Sequence, residues 1–442
     1  MSAAVVGVNG GTHSAAPRRE RERVIVMVRG GDSPGITAAL LRCVAETGGD
    51  VIDVRQTLIH GIVTLALEIS IGLLPEDQLV FRELLLLAKK LGVRIEFDIP
   101  ERPLQTEITD GGSSDVKEKS AATASAIPEK RSYVLTLMSE SNLTAAFLAP
   151  LTRLLEQRGV RIESISRLSK DSMRCLEMSA SLERLGDTSF SFDELRTALY
   201  AFGKEHMVDV AVQQENILRR EKRLVVMDMD STMIQQEVID EIARHAGVYE
   251  EVQAITHRAM GGGMDFNESL RQRVAMLAGC PASTFKHVID HLVYTEGVEE
   301  LCRALKRLGY RLAVISGGFT AITRHVKSVL QLDYAFANTL EIGADGKFTG
   351  RTTGPIVNAQ RKADLLVTIA QQEKISTDQV IAIGDGANDL PMLAVAGLGI
   401  AFNAKPAVQA AASFRINQKR IDSVLYLLGF TEAEQRELTR AP

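Results

Sequence analysis

The sequence predicts an α/β protein: a doubly wound parallel-sheet core carrying a helical insertion, preceded by two ferredoxin-like βαββαβ units. Three observations predict it. From residue 224 on, short Val- and Ile-rich runs alternate with helical patterns, which argues for a parallel sheet. Before 213, the order strand–helix–strand–strand–helix–strand occurs twice, a duplication of pattern. Between the two copies, residues 101–130 hold Pro, Gly, Ser, Thr, Ala and charges with almost no large apolar side chains, the composition of a linker.

Taken in order, residues 1–22 are small, polar and finally charged, and read as a disordered tail. The first unit spans 23–100. Residues 24–28 read as a strand, and the turn Gly30–Ile36 opens a helix, with Ser33 suited to the N-cap and Pro34 to the first helical position. That helix runs to about 47 and stops at Gly48-Gly49. Strands follow at 50–58 and 62–70, a helix at 75–91 closed by Gly92, and a strand at 93–99. The second unit, 131–212, repeats this with strands at 132–138, 160–168, 173–182 and 207–212 and helices at 143–157 and 192–205. Its first turn is Ser139-Glu140-Ser141-Asn142, without the Pro-Gly of the first copy. Residues 213–223 read as a charged helical connector.

The core, 224–442, begins with the apolar run Leu224–Met227. An insertion at about 235–295 is mostly helical and would lie over the carboxyl end of the sheet as a lid. Strands then read at 311–315, 379–383 and 399–402, helices at 319–330, 359–372 and 389–396, and a hairpin around Ala344-Asp345-Gly346; short helical segments finish the chain.

Composition narrows the function. The 442 residues suggest about three domains of roughly 100–200 residues each. A net charge of −5 and the absence of Trp give no basic face and few stacking platforms for nucleic acid. No run approaches the ~20 apolar residues of a membrane span, and no signal-peptide pattern opens the chain. Cys43, Cys175, Cys280 and Cys302 are scattered, as expected of thiols in a reducing cytoplasm.

Four polar stations punctuate the core. The first is Asp228-x-Asp230-Ser231-Thr232. Alternation along a strand lets Asp228 and Asp230 face one site at its carboxyl end, where α/β sheets bind ligands. Carboxylates so close repel, so a divalent cation or a retained proton is expected. The second is Ser316-Gly317-Gly318 after an apolar strand, where backbone N–H groups and a helix start favour an anion. The third is Lys362, a point charge suited to phosphate. The fourth is Gly384-Asp385-Gly386-Ala387-Asn388-Asp389, whose oxygens suit Mg²⁺. Alone, each has a plain alternative: a surface carboxylate pair, a turn, a solvated lysine, a calcium loop. Three of the four close apolar strands, and together they supply nucleophile, anion cradle, cation and metal ligands.

This ordered set resembles the haloacid dehalogenase superfamily of phosphatases over roughly residues 222–430, and within it the phosphoserine phosphatase family. The resemblance implies hydrolysis of O-phospho-L-serine to L-serine and phosphate, the last step of serine biosynthesis. It assigns Asp228 as the nucleophile that forms an aspartyl-phosphate and Asp230 as general acid and base. It gives Mg²⁺ to Asp228, Asp385 and the backbone carbonyl of Asp230. Ser316, Gly317 and Lys362 would hold the phosphoryl group, and Asp389 would orient Lys362 or a metal-bound water.

In the insertion, Glu237 follows the first station by about two helical turns. The segment 260–266, with three glycines between Met260 and Met264-Asp265-Phe266, suits a closing flap. A substrate with an ammonium, a carboxylate and a phosphate needs one anion and one cation in the lid, which Glu237 and Arg273 could supply. The family pattern gives the amine to Glu237 and the carboxylate to Arg273. It has Met260 and Phe266 cover the pocket and Asn388 approach the substrate. His257, Arg258 and Arg271 read as ordinary surface charges.

Residues 23–100 and 132–212 resemble ACT domains, small regulatory modules whose usual ligand is an amino acid near the first strand-to-helix turn. Here that implies Gly31, Asp32, Pro34 and Gly35 of the first copy, with homodimer formation as the plainer role for either copy. Three other readings stand beside this one: a phosphatase or phosphotransferase for another small phosphate, a phosphatase of phosphoserine side chains, and an amino-acid-sensing regulator with a vestigial core.

Overall fold

A computed structural model of the protein describes residues 21–32, 35–59, 61–72, 78–99, 131–182, 192–260 and 263–440. The tail over 1–20 and the linker over 101–130 lie outside them. The chain divides into two compact units, 1–121 and 122–442.

The first unit holds β1 (Arg21–Gly31), α1 (Ile36–Glu46), β2 (Asp50–Ile59), β3 (Ile62–Gly72), α2 (Leu79–Leu91) and β4 (Arg94–Asp98). They form an antiparallel sheet of order β2-β3-β1-β4. Every second residue of β1 and β3 is buried (Val24, Val26, Val28; Val63, Leu65, Leu67, Ile69, Ile71) under α1 and α2, which contribute Ile36, Leu40, Val44 and Val80, Leu84, Ala88. This is the period-2 strand on a period-3.6 helix. The N-cap of α1 is Gly35, left-handed at φ 95°, rather than Ser33; Ser33 and Pro34 lie outside the described residues.

The second unit contains the other copy and the core. Its first part is β5 (Arg131–Met138), α3 (Ala145–Glu156), β6 (Val160–Arg167), β7 (Cys175–Leu182), α4 (Phe192–His206) and β8 (Asp209–Gln214), with sheet order β6-β7-β5-β8. The order matches the first sheet, but the burial does not. Tyr133, Leu135 and Leu137 face α3 and α4, while Val134, Thr136 and Met138 on the opposite face are buried too. That face is covered by the C-terminal part of the core: Met138, Cys175 and Ala211 join the core's hydrophobic cluster, and Gln213 Nε2 donates to the Leu427 carbonyl at 3.0 Å. The continuous apolar runs of β5 and β8, against the alternation Arg94-Ile-Glu-Phe-Asp98 of β4, are the sequence form of a strand buried on both faces.

The connector is not the helix expected. Only α5 (Ile217–Arg220) forms, because β8 extends to Gln214 and Asn216 starts a single capped turn by accepting from Arg219 N.

In the core, β9 (Leu224–Met227) is followed by the insertion helices α6 (Val238–Ala246), α7 (Tyr249–Met260), α8 (Phe266–Met276) and α9 (Thr284–Asp290). Then come α10 (Val298–Arg307), β10 (Arg311–Phe319), α11 (Thr320–Leu330), the hairpin β11 (Tyr334–Ile342) and β12 (Phe348–Thr353), and α12 (Ala359–Gln372). The chain continues with β13 (Val380–Gly384), α13 (Leu390–Val395), β14 (Leu398–Phe402), α14 (Pro406–Ala411), β15 (Phe414–Ile416), α15 (Val424–Leu427) and α16 (Glu432–Thr439). The sheet order is β12-β11-β10-β9-β13-β14-β15, parallel except for β12. β15 is a strand the sequence did not announce; three residues are too few to show a period. Val225 and Met227 point into the layer with α10 and α11, Leu224 and Val226 into the layer with α12 and α13. The insertion leaves and returns through a short two-stranded hinge, where Ile234 bridges Tyr294, Gln235 N donates to Val293 O and Thr295 N to Met233 O, both at 2.9 Å.

Candidate active site

β9 lies between β10 and β13, with Met227 level with Val314 and Ile383, so three carboxyl ends open side by side. Asp228 and Asp230 sit just beyond β9, not within it; Asp228 N still donates to Ile383 O at 2.9 Å, which carries the sheet register one residue further. Ser316 and Gly317 lie beside them within β10, which runs past the expected end at 315 to Phe319 with a register shift after Ile315, and Asp385 follows β13.

Lys362 enters from α12, where Asn358 caps the helix by accepting from Arg361 N. Its ammonium is fully buried and lies 2.8 Å from Asp228 Oδ1 and 2.7 Å from Asp389 Oδ1. These two carboxylates hold the lysine charged and raise its pKa against a large desolvation cost. Asp228 Oδ1 also accepts from Met229 N at 2.7 Å, while Oδ2 has no hydrogen bond among the described residues. Burial pushes the Asp228 carboxyl well above the usual range, and Asp389 adds to that; Lys362 opposes.

Asp230 Oδ1 accepts from Val238 N at 3.2 Å, and Oδ2 is 3.4 Å from Ser316 Oγ. Burial, then the Glu237 charge, lifts its carboxyl to about 8. Ser316 Oγ in turn accepts from Gly318 N at 2.8 Å. Glycine is required at 318: a Cβ there would stand 2.7 Å from Asp230 Oδ2.

Carboxylate oxygens of Asp228, Asp385 and Asp389 lie within 4.8 Å of one another. Three hard oxygen donors in one buried cleft fit Mg²⁺. The cluster takes in Asp389, expected from the sequence to lie outside the ligands, and leaves out the Asp230 carboxylate. Asp389 is pinned by Lys362 and by Gly386 N at 3.0 Å. Burial raises the Asp385 carboxyl to about 6, opposed by the Thr232 hydroxyl, which donates to its Oδ1 at 2.8 Å.

The cap closes over this floor. Glu237 is not carried on a helix after the first station: 231–236 is a series of turns, Ser231 is left-handed at φ 56°, and Glu237 is the extended residue before α6. Its Oε1 accepts from Ser231 Oγ at 3.0 Å. Arg273 on α8 is half-buried; burial lowers its pKa, and Glu237, Asp240 and Asp230 counteract this as nearby charges. Phe266, at the start of the same helix, lies over the second station, its ring carbon 3.2 Å from where a Gly317 Cβ would stand. Asn388 is half-buried beside Asp385. Met260 ends α7, and its side chain lies outside the described residues. His257, Arg258 and Arg271 are exposed.

Two contributors escaped sequence reasoning. Thr232 braces Asp385, and the two hydroxyls after Asp230 were its signal. Asn338 on β11 is 2 % exposed, donates to Gly317 O at 2.7 Å and accepts from Val357 N at 2.9 Å, so it fixes the backbone at Gly317; an isolated Asn in a strand gives no such signal.

In the first unit, Gly31 ends β1, Asp32 N donates to Gly61 O at 2.8 Å and Gly35 opens α1, while Pro34 is not described. No helix among the described residues is long and apolar enough to cross a membrane.

Comparison with known proteins gives two family matches: haloacid dehalogenase-like hydrolase over residues 225–394 and ACT domain over residues 22–98. The chain is 40% identical to a phosphoserine phosphatase of Streptomyces coelicolor over 421 residues, 95% of each chain. It is 36% identical to phosphoserine phosphatase SerB2 of Mycobacterium tuberculosis, over 93% of this chain and 94% of that one. Among solved structures, a probable phosphoserine phosphatase from Vibrio cholerae in unliganded form aligns with TM-score 0.52 and 36% identity, covering 69% of this chain and 88% of that one. A HAD family hydrolase from Salmonella enterica aligns with TM-score 0.57 and 32% identity, over 67% and 98%.

Proposed function

Because the chain belongs to the phosphoserine phosphatase family of haloacid dehalogenase-like hydrolases, we propose that it hydrolyses O-phospho-L-serine to L-serine and phosphate through an aspartyl-phosphate. The observation that carries this reading is the buried Asp228: Lys362 and Met229 N hold one carboxylate oxygen, and the other has no partner among the described residues.

Asp228 Oδ2 forms the bond to phosphorus as the bond to the serine oxygen breaks. Asp230 gives its proton to that leaving oxygen, then takes one from the water that cleaves the acyl-phosphate. Burial and the neighbouring Glu237 favour the protonated Asp230 that the first half needs. Lys362, Ser316 and the Gly317 turn hold the phosphoryl charge while it shifts. Asp228, Asp385 and the Asp230 carbonyl would hold Mg²⁺, which when bound neutralises the clustered carboxylates and polarises the phosphoryl oxygens. Asp389 keeps Lys362 aimed at Asp228. Glu237 takes the substrate ammonium, Arg273 its carboxylate, and Phe266, with Met260 and Asn388, encloses the pocket.

The test is phosphate release from L-phosphoserine, phosphothreonine, a phosphosugar and a phosphoserine peptide, with Mg²⁺ and with EDTA, for wild type and Glu237→Gln. Free phosphoserine is expected to be strongly preferred, EDTA to abolish turnover, and Glu237→Gln to lower kcat/KM for phosphoserine by about 10–100-fold, the loss of one charged contact. Equal turnover of all four substrates would remove the lid from the argument.

For the rest of the chain we read the domain order drawn from the sequence, with the first domain beginning at Arg21 and the second ending at Gln214, a cytoplasmic homodimer in keeping with four unpaired thiols, and an amino-acid effector at Gly31, Asp32 and Gly35. The exposed edge strand β2 offers a pairing surface. Serine, the reaction's product, is the expected effector. Serine titration of the rate, with mass by light scattering, is expected to show inhibition of a dimer; flat curves or a monomer would sink these assignments.

A further inference from the structure

We propose that the second ferredoxin-like domain positions the cap hinge, and through it Glu237, by way of the segment 417–422, which acts as a strap between them.

One end of the strap is fastened to β8. Asp209, 5 % exposed, accepts three bonds from it: Asn417 N at 2.7 Å, Asn417 Nδ2 at 2.8 Å and Gln418 Nε2 at 2.7 Å. A buried carboxylate is costly unless so satisfied, so the three donors are bound to stay with it. The next residue, Lys419, gives its N–H to Glu140 Oε1 at 3.1 Å, in the turn after β5.

The other end is fastened to the return strand of the hinge. Ile421 N donates to Glu296 O at 2.9 Å. Arg420 gathers three carboxylates: Glu296 at 3.1 Å, Glu300 at 3.5 Å and Asp422 at 2.7 Å. Without its charge, those three would repel across the junction. Asp422 fills the space beside Gly297, where a Cβ would stand 2.8 Å from Asp422 Oδ1; the residue is also left-handed, at φ 87°, so only glycine lets the strap come this close.

From Glu296 the hinge leads directly to the first station. Thr295 N binds Met233 O and Gln235 N binds Val293 O, both at 2.9 Å, while the Gln236 side chain bonds Val293 N at 3.0 Å and His291 O at 2.8 Å. Gln236 O accepts from Ser231 N at 3.4 Å, and Ser231 Oγ holds Glu237. Two cavities, of about 550 and 390 Å³, share Glu296 and Lys419 in their linings, and the smaller is also lined by Ser231, Gln235 and Thr295 of the hinge. Arg420 and Asp209 are positioning residues; neither touches the reacting atoms.

The inference rests on Glu237 as the holder of the substrate ammonium, and its test separates the two claims. Full-length wild type, Arg420→Gln, Arg420→Lys, Asp209→Asn and the Arg420→Gln/Asp209→Asn pair are assayed with L-phosphoserine and with p-nitrophenyl phosphate, which lacks both ammonium and carboxylate. Hydrogen exchange is followed at the Gln235 and Thr295 amides. Arg420→Gln and Asp209→Asn are expected to raise KM for phosphoserine about tenfold while kcat and p-nitrophenyl phosphate turnover stay within about twofold. The two amides should exchange at least ~10-fold faster, and Arg420→Lys should recover part of both effects. The pair should be no worse than the stronger single change, since both cut one connection. Arg420 is partly exposed, so its variants carry the test if Asp209→Asn fails to fold. Unchanged exchange with unchanged KM, or equal losses on both substrates, would overturn the proposal. Failure of wild type to hydrolyse phosphoserine would instead overturn the function, and the exchange arm would still decide the strap.

Discussion

Asp228→Asn is expected to lower kcat for phosphoserine by at least ~10⁴-fold, the scale seen when a covalent nucleophile is removed. An amide in the same place cannot form the acyl-phosphate. The substitution should not unfold the protein. Asp228 is 5 % exposed, and its charge is opposed by burial and by Asp389. Asn removes one of several crowded negative charges while Asp389 remains to pair Lys362. The thermal midpoint measured without added metal should therefore equal or exceed that of wild type. Retained turnover above a thousandth of the wild-type rate would remove Asp228 as nucleophile. A sharply lowered midpoint would mean that the Asp228–Lys362 pair contributes more than the repulsion costs.

Lys362→Met has the opposite character, losing activity and stability together. Methionine fills much the same volume but leaves Asp228 and Asp389 buried without their shared cation. Breaking a buried ion pair by removing one partner costs about 3–5 kcal/mol, which chemical denaturation would detect directly. Phosphate transfer should fall by several orders of magnitude, because the lysine holds Asp228 Oδ1 and, in the proposed mechanism, would neutralise the incoming phosphoryl group. A variant as stable as wild type would show that the carboxylates take up protons on losing the lysine. A variant of near-normal rate would show that the anion cradle at Ser316 and Gly317 suffices.

The legible parts of the sequence were those in which a short local pattern decides the outcome. The apolar runs before Asp228 and Asp385 marked two strand ends, the run before Ser316 marked a strand that carries on to Phe319, and parallel register then brought the three stations together. Glu237 reached its place although its helix was misread, because the turns over 231–236 fold back and do not depend on helical spacing. What stayed hidden depends on packing between distant segments. Asn338 braces Gly317 from another strand, β15 is too short to show a period, and the connector unwinds because β8 runs into it. The N-cap of α1 was missed since Gly35 can adopt a positive φ that competes with the side-chain cap expected of Ser33.

The two look-alike modules have become different kinds of part. One keeps an antiparallel sheet with a solvent-facing edge at β2 and forms a compact unit by itself. The other has lent the outer face of its sheet to the C-terminal segment of the catalytic region. For anyone dividing the gene, the natural cut consequently falls within the linker before 131, and not at 213, where the repeat in the pattern would suggest it. A catalytic fragment begun at 224 would carry away half of a shared interior and leave Leu427 and its neighbours facing water.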